Sequence, residues 1–380
     1  FKITFPDGTQ KEFVHPVSAR ELLQYLPALP SPIVGIKVNN LVVPLNKTID
    51  VQSNIEPVTL ADREGSNFYR RTLCLILAAA AKELYPDLRL LMGHSLDYGY
   101  YYTLEGKNSG KVDFKAIKAK MDEMVAQDMP IDTRWLSYEE ALEKFEHSNQ
   151  PETHRLLNYT SKPRILINRL GNYEDLYFQP LMDRIGEVKV FDVMPYEDGF
   201  LLRFPRTSSP TKLSEFKDIP HLFEIYKEYK QWGKLVGVSS VGQLNDLITS
   251  RKIKDYVEIT EILQNNKLAE IAKKITAKKT ARVILIAGPS SSGKTTSAKK
   301  LSMQLKVLGF LPKVISLDDF YLGIAKTPKK EDGRPDFECV EALDIELLND
   351  VLLRLFKGET VEMPSYDFKI SARRSEGKMF

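Results

Sequence analysis

The sequence predicts a multidomain chain, α+β over its first two hundred residues and α/β over residues 279–380. Three observations carry that prediction. At 380 residues the chain is too long for one ordinary hydrophobic core and points to two or three domains. The front alternates short apolar strands, turn dipeptides and stretches of helical spacing. Residues 283–296 read Val-Ile-Leu-Ile-Ala-Gly-Pro-Ser-Ser-Ser-Gly-Lys-Thr-Thr, an apolar run, a glycine-bounded turn and the start of a helical pattern.

Composition narrows the class of function. An apolar fraction of 43% and a charged fraction of 28% are those of a soluble globular protein. The net charge of +3 is too small to argue for nucleic acid, and the lysine-rich stretch from Lys267 to Arg282 reads as the solvated face of a helix. The two cysteines, Cys74 and Cys339, exclude a disulfide framework and a CxxC metal pair, which favours a reducing compartment. No apolar run approaches the ~20 residues of a membrane span, so no membrane partner is expected. The chain starts at Phe1 with neither a methionine nor a signal peptide, and a trimmed, cytoplasmic protein is the expectation.

Along the first domain, residues 1–62, Lys2-Ile-Thr-Phe and Lys11-Glu-Phe-Val14 alternate around Pro6-Asp-Gly8 and predict a hairpin. Ser18 caps a short helix from Ala19 to Tyr25. Ile33 to Val38 and Leu41 to Pro44 pair around Asn39-Asn40, and Ile55 to Leu60 is a last strand. With Ile3-Thr-Phe-Pro-Asp-Gly-Thr9 and His15-Pro-Val17, this segment resembles the TGS domain, the β-grasp module of threonyl-tRNA synthetases and some regulatory GTPases.

The second domain, 63–206, opens with a helix from about Phe68 to Tyr85. It continues through Gly93-His-Ser-Leu-Asp-Tyr-Gly-Tyr-Tyr-Tyr102, a helix near Phe114 to Gln127, and Ser137-Tyr-Glu-Glu-Ala-Leu142. The order resembles the second additional domain of threonyl- and alanyl-tRNA synthetases, an editing α+β domain. That resemblance places Arg71 and Leu75 where a histidine pair belongs, and Tyr177 and Leu181 where a cysteine and a further histidine belong. None of these side chains replaces imidazole or thiolate, so no zinc and no editing activity are expected. The five histidines at 15, 94, 147, 154 and 221 show no ligand-pair spacing, and His94 reads as a structural or surface residue. Residues 207–278 predict a helical connector, with apolar spacing over Phe216–Trp232 and Tyr256–Ile275. Its stripe of Phe223, Tyr226, Tyr229 and Trp232 reads as packing.

Chemistry concentrates in the last domain, 279–380. Val283 to Ala287 predicts a buried strand feeding Gly288-x-x-x-x-Gly293-Lys294-Thr295, with a helix from Ser297 to Leu308. That is the context of a phosphate-binding P-loop. Glycines let backbone N–H groups curl around phosphate oxygens, and the helix N-terminus adds partial positive charge. Lys294 is placed for the β- and γ-phosphates and Thr295 for Mg²⁺. Gly288, Ser290, Ser291, Ser292, Gly293, Lys294, Thr295 and Thr296 are therefore the expected ATP-binding residues. Lys313 to Leu317 predicts a second strand delivering Asp318-Asp-Phe-Tyr321. A carboxylate there can hold Mg²⁺ through water and accept a proton from an attacking hydroxyl.

Gly288–Thr296, Ser316-Leu-Asp-Asp-Phe-Tyr321, Pro335-Asp-Phe-Glu-Cys-Val-Glu-Ala-Leu-Asp344 and Tyr366-Asp-Phe368 together resemble the uridine kinase and phosphoribulokinase family. The resemblance implies Asp318 as general base beside catalytic Lys294. It also implies Tyr321 near a nucleobase, Glu338 on ribose hydroxyls and Tyr366 as a further nucleoside contact. Ser371 stands where uridine kinases carry a pyrimidine-contacting histidine, so the base is left open. The family fold also needs further strands, another acidic magnesium residue and an arginine-bearing lid, for which Arg373 and Arg374 are poor candidates. This segment is accordingly expected to be the N-terminal half of such a domain. Taken together, the sequence resembles nucleoside-kinase-like proteins that fuse a TGS domain and a synthetase-type domain to a uridine-kinase-like domain. The expected activity is transfer of the ATP γ-phosphoryl group to the 5′-hydroxyl of a nucleoside or similar small alcohol. The alternative is a non-catalytic RNA-binding or nucleotide-sensing protein that uses the P-loop as a switch. RNA contact through the front domains and a homo-oligomer complete the partner expectations.

Overall fold

Ser18 and Glu21 form a reciprocal capping box, each side chain accepting from the other residue's backbone N–H, and start a helix one residue after a strand. Such local signals set most of the front of the chain. A computed structural model describes residues 1–107, 109–148, 150–330, 333–374 and 378–380. They form two compact units, 1–253 and 254–380.

The first unit begins with β1 (Lys2–Thr4), β2 (Gln10–Glu12), β3 (Val17–Ser18), α1 (Ala19–Leu22), β4 (Ile33–Val38), β5 (Leu41–Val43), β6 (Thr48–Ile49) and β7 (Ser53–Thr59). A five-stranded sheet runs β2-β1-β7-β4-β5, with β1 and β7 parallel and the other pairs antiparallel; β3 pairs with β6 apart from it. Asn39 and Asn40, at φ of 49° and 70°, supply the left-handed pair that a tight two-residue hairpin needs. Ile3, Leu22, Ile36 and Ile55, all fully buried, form the core beneath this sheet.

A 22-residue helix, α2 (Arg63–Leu84), then presents Phe68, Leu73, Ile76 and Leu77 to the main core of the unit. Each fully buried side chain of this size contributes about 1.5–3 kcal/mol. Around α2 lie β8 (Arg89–Leu96), β9 (Gly99–Glu105), α3 (Phe114–Ala126), β10 (Asp132–Ser137), α4 (Tyr138–Glu146), α5 (Pro151–Leu157), β11 (Arg164–Leu170), β12 (Tyr173–Leu176), β13 (Asp192–Tyr196) and β14 (Gly199–Arg203). They build a three-stranded sheet, β10-β11-β12, and a four-stranded sheet, β13-β14-β9-β8, all antiparallel. The side chain of Arg20 from the first sheet region binds the buried carboxylate of Asp183, with Nε to Oδ2 at 3.0 Å.

The unit closes with α6 (Pro220–Leu235) and α7 (Val241–Thr249). Of the aromatic stripe on α6, Phe223 is buried, and Tyr226 stacks on His94 with ring centroids 4.1 Å apart. Both residues therefore pack. Tyr229 stays exposed against Trp232.

The second unit holds α8 (Ile253–Ala277), α9 (Lys294–Val307) and α10 (Ile345–Phe356). It also has two short ribbons, β15 (Glu362–Met363) with β18 (Lys378–Met379) and β16 (Tyr366–Asp367) with β17 (Ala372–Arg373). Ala272 on α8 packs against Leu301 and Leu305 on α9, while Lys273 and Lys274 remain exposed, the solvated face expected of this stretch. Two sequence expectations fail here. Neither 283–287 nor 313–317 is a strand, and both runs are largely exposed, Leu285 at 86%. A strand is stable only when a neighbour completes its hydrogen-bond ladder, and parallel strands also need cover on both faces. Among the described residues no ladder reaches these runs. The P-loop helix also starts at Lys294, three residues before the expected Ser297.

Among the described residues, no helix is long and apolar enough to cross a membrane.

Candidate active site at the P-loop

Gly293 sits at φ +83°, a left-handed conformation that turns the chain into α9. No side chain caps that helix end, so the first N–H groups of α9 keep their hydrogen-bonding capacity. A Cβ at Gly288 would meet Ser292 Oγ at 2.7 Å, so any other residue there would make the Ser292 side chain turn aside. Ser291, at φ 59°, adds a second left-handed residue to the curl. Lys294 Nζ donates to the carbonyls of Gly288 (2.8 Å) and Pro289 (2.9 Å), folded back across the loop. Ser290, Ser292, Thr295 and Thr296 lie along the same turn and first helical residues. An uncapped helix start, an ammonium and a hydroxyl at the second helical residue fit a nucleoside triphosphate with Mg²⁺.

The two adjacent aspartates have different surroundings. They lie in a 3₁₀ turn, Leu317–Phe320, pinned by fully buried Phe320 against Val351, Val361 and Met363. Asp319 accepts from the backbone N–H of Tyr366 at 3.2 Å and ties the turn to β16. Asp318 is exposed, and its carboxylate makes no hydrogen bond or ion pair among the described residues.

Arg373 fastens the same turn from the other side. Its Nε donates to Tyr321 O (3.0 Å), its Nη2 to Phe320 O (3.0 Å), and its Nη1 to the Asp344 carboxylate (2.9 Å). Asp344 is held below the usual carboxylate range by the N–H of Leu347, which it caps at the start of α10, and by Arg373. Sequence reasoning set Arg373 aside as a lid residue and did not foresee this clamp; a lone arginine 52 residues from Tyr321 leaves no local pattern to find.

Four aromatic rings converge beside the turn. Tyr321 lies 5.3 Å from Phe337, 5.5 Å from Tyr366 and 6.5 Å from Phe368, edge to face. Tyr321 Oη donates to Phe337 O at 3.0 Å. Burial, and then the negative charges of Asp318 and Glu338, push the Tyr321 phenol above its ordinary value. Tyr366 is buried, and its hydroxyl has no partner among the described residues. Glu338 is exposed, its backbone N–H given to Asp336. The structure thus gathers Tyr321 and Tyr366 in one ring cluster, with Asp318 in the turn that precedes Tyr321 and Glu338 next to Phe337 in sequence. No hydrogen bond or ion pair among the described residues joins them to Lys294 or Thr295.

Residues 283–380 match the Phosphoribulokinase / Uridine kinase family. That family is one of P-loop kinases, whose chemistry uses ATP and Mg²⁺. Over its N-terminal part the chain is similar to threonine–tRNA ligases. It is 28% identical over 253 residues to that of Caldanaerobacter subterraneus subsp. tengcongensis, covering 63% of this chain and 39% of that protein. It is 31% identical over 204 residues to that of Thermotoga petrophila, covering 52% of this chain and 31% of that protein. The ligase of Ligilactobacillus salivarius is 30% identical over 197 residues, which is 51% of this chain and 30% of that protein. The chain therefore spans between about three tenths and two fifths of the length of these relatives.

The four positions compared with an editing centre divide in two. Arg71 and Tyr177 line a cavity of about 760 Å³, whereas Leu75 and Leu181 are buried in the main core.

Proposed function

We propose that residues 279–380 act as a P-loop kinase domain that transfers the γ-phosphoryl group of ATP to the 5′-hydroxyl of a nucleoside or similar small alcohol. The observation that carries this reading is the division of labour between the two aspartates. Asp319 is spent on the Tyr366 backbone, while the exposed Asp318 carboxylate, in the same turn, makes no hydrogen bond or ion pair among the described residues. In this reading the carboxylate of Asp318 accepts the proton as the acceptor oxygen bonds to the γ-phosphorus and the bond to the β,γ-bridging oxygen breaks. Bound Mg²⁺ would neutralise phosphate charge, held by Thr295 and, through water, by Asp318. Lys294 leaves the loop carbonyls to meet the β- and γ-phosphates. Tyr321 and Tyr366 offer aromatic faces and one free hydroxyl to the acceptor, and Glu338 accepts from vicinal hydroxyls. The base of the acceptor is left open by Ser371.

In the same reading, residues 1–62 are a TGS-like β-grasp domain. Residues 63–206 are a degenerate synthetase-type domain without zinc, and 207–278 form a connector, in a cytoplasmic protein that contacts RNA through its front. Similarity to threonine–tRNA ligases also favours a second reading, a nucleotide-sensing RNA-binding protein with a non-catalytic P-loop. Homo-oligomerisation is compatible with either.

The test is a phosphoryl-transfer screen over nucleosides with labelled ATP, run beside a tRNA gel shift. Transfer that Lys294→Ala abolishes, with an unchanged melt of the unliganded protein, supports the kinase. A tRNA shift modulated by ATP, with no transfer to any acceptor, supports the sensor. Unaltered ATP titration in Lys294→Ala removes the P-loop from both.

A further inference from the structure

The cavity of about 760 Å³ in the front unit is lined by two opposite charges, Arg71 and Asp175, that meet no ion-pair partner among the described residues. Arg71, on the inner face of α2, uses Nε to donate to Pro180 O at 3.0 Å and makes no ion pair among the described residues. Asp175, on β12, accepts from Tyr173 Oη (2.8 Å) and from the N–H of Leu176 (2.7 Å), and likewise meets no cation among the described residues. Other acidic groups at the cavity are engaged: Glu174 with Lys144 and Arg134, Glu152 with Ser240 and Arg155. Burial pushes the Asp175 carboxyl up and the Arg71 guanidinium down from their ordinary values, as expected for charges lacking a counterion.

The walls between them are apolar and aromatic. Tyr100 and Tyr102 come from β9 and Tyr177 from the end of β12. One further polar atom is unspent: the side-chain carbonyl of Gln150 is buried without a partner, while its amide group donates to Tyr173 Oη and Glu174 O. A cation and an anion that each lack a counterion among the described residues, with a spare acceptor in the same aromatic-walled cavity, describe a receptor by its complement. A partly buried charge without a counterion costs free energy that a ligand of opposite charge recovers.

We propose that this cavity binds a free α-amino acid with a large apolar or aromatic side chain. Its carboxylate meets Arg71, its ammonium meets Asp175 and Gln150, and its side chain lies among Tyr100, Tyr102 and Tyr177. An aminoacyl ester is a poorer fit, because esterification removes the charge that Arg71 needs. Cys74 lies in the same wall, but its thiol is buried and hydrogen-bonded by Tyr102 Oη at 3.2 Å, so the site is one for binding and not for nucleophilic chemistry. This inference is independent of the kinase reading, since it uses no residue of the P-loop unit.

Calorimetric titration of the full 380-residue chain tests it, with L-phenylalanine, L-tyrosine, L-tryptophan, L-leucine and L-methionine as probes. At least one should bind, and its methyl ester and decarboxylated amine should each bind about tenfold more weakly or worse, as should the acid lacking the amino group. Arg71→Met should erase the preference for the amino acid over its ester while keeping the preference over the deaminated acid. Asp175→Asn should do the reverse. Because the analogues act on the unmutated protein, a variant that fails to fold does not blunt the test. No binding of any probe at millimolar concentration overturns the proposal. So does an ester that binds as tightly as its free acid.

Discussion

The front cavity and the P-loop site are built in opposite ways. The cavity rests on α2 and three neighbouring strands, with fully buried Phe68, Leu73 and Leu77 behind it. Its frame is a well-packed core, yet the positions compared with an editing centre carry arginine, leucine and tyrosine. The P-loop has its phosphate-binding residues in order, but the apolar run that leads into it is exposed, Leu285 at 86% and Val283 at 48%. Packing is dense around the cavity, and the phosphate-binding motif stands where packing is thin. The comparison teaches that a motif of backbone donors and one helix start needs few neighbours. A cavity, by contrast, exists only as the space left by a core.

The largest test of this contrast is Phe68→Ala. It removes a fully buried ring from the core behind the cavity and should cost about 3–5 kcal/mol, read as a shifted denaturant midpoint. A loss below about 1 kcal/mol would mean that the front frame is not the packed core described.

Next is the chemical step of the rear site. With a confirmed acceptor, Asp318→Asn should lower kcat by at least about a hundredfold with ATP affinity changed far less. Asp319→Asn keeps an oxygen for the Tyr366 N–H and should act mildly. Loss of transfer in Asp319→Asn with retention in Asp318→Asn would shift the assignment by one residue.

A pH series separates the two regions through Cys74. Burial pushes its thiol up to about 11 from an ordinary 9.0. Below pH 9 folded and unfolded chains both hold that proton; as pH rises from 9 to 11 only the folded chain keeps it, so stability falls across that window. Urea unfolding of the wild type against Cys74→Ala should show the fall in the former and a shallower slope in the latter. The same thiol should resist an aromatic disulfide reagent at pH 8 until the protein unfolds.

The smallest effect is local. Ser137 and Glu140 form a capping box at the start of α4, and Ser137→Ala should cost about 1 kcal/mol in a thermal or denaturant melt. A neutral result would show that α4 is held by Ala141 and Phe145 in their core and not by its cap.

What the sequence by itself determined is the set of features written in neighbouring residues. The hairpin of β1 and β2, the Asn39-Asn40 turn, the cap at Ser18, and the helices α2, α3 and α8 are legible because spacing and turn chemistry act over a few residues. So was the P-loop, whose function depends on consecutive backbone groups. Helix α7 escaped notice because its nine residues are short for a periodic signal. Tertiary structure decided everything that required distant partners. It made β1 and β7 parallel neighbours about fifty residues apart, left 283–287 and 313–317 without a ladder, and turned Leu75 into the core while Arg71 faced the cavity. It alone separated Asp318 from Asp319, through one N–H of Tyr366, and gave Arg373 its clamp. The physical reason is range: propensity and capping act within a turn or two of helix, whereas ladder pairing, burial and charge compensation depend on residues that only the folded chain brings into contact.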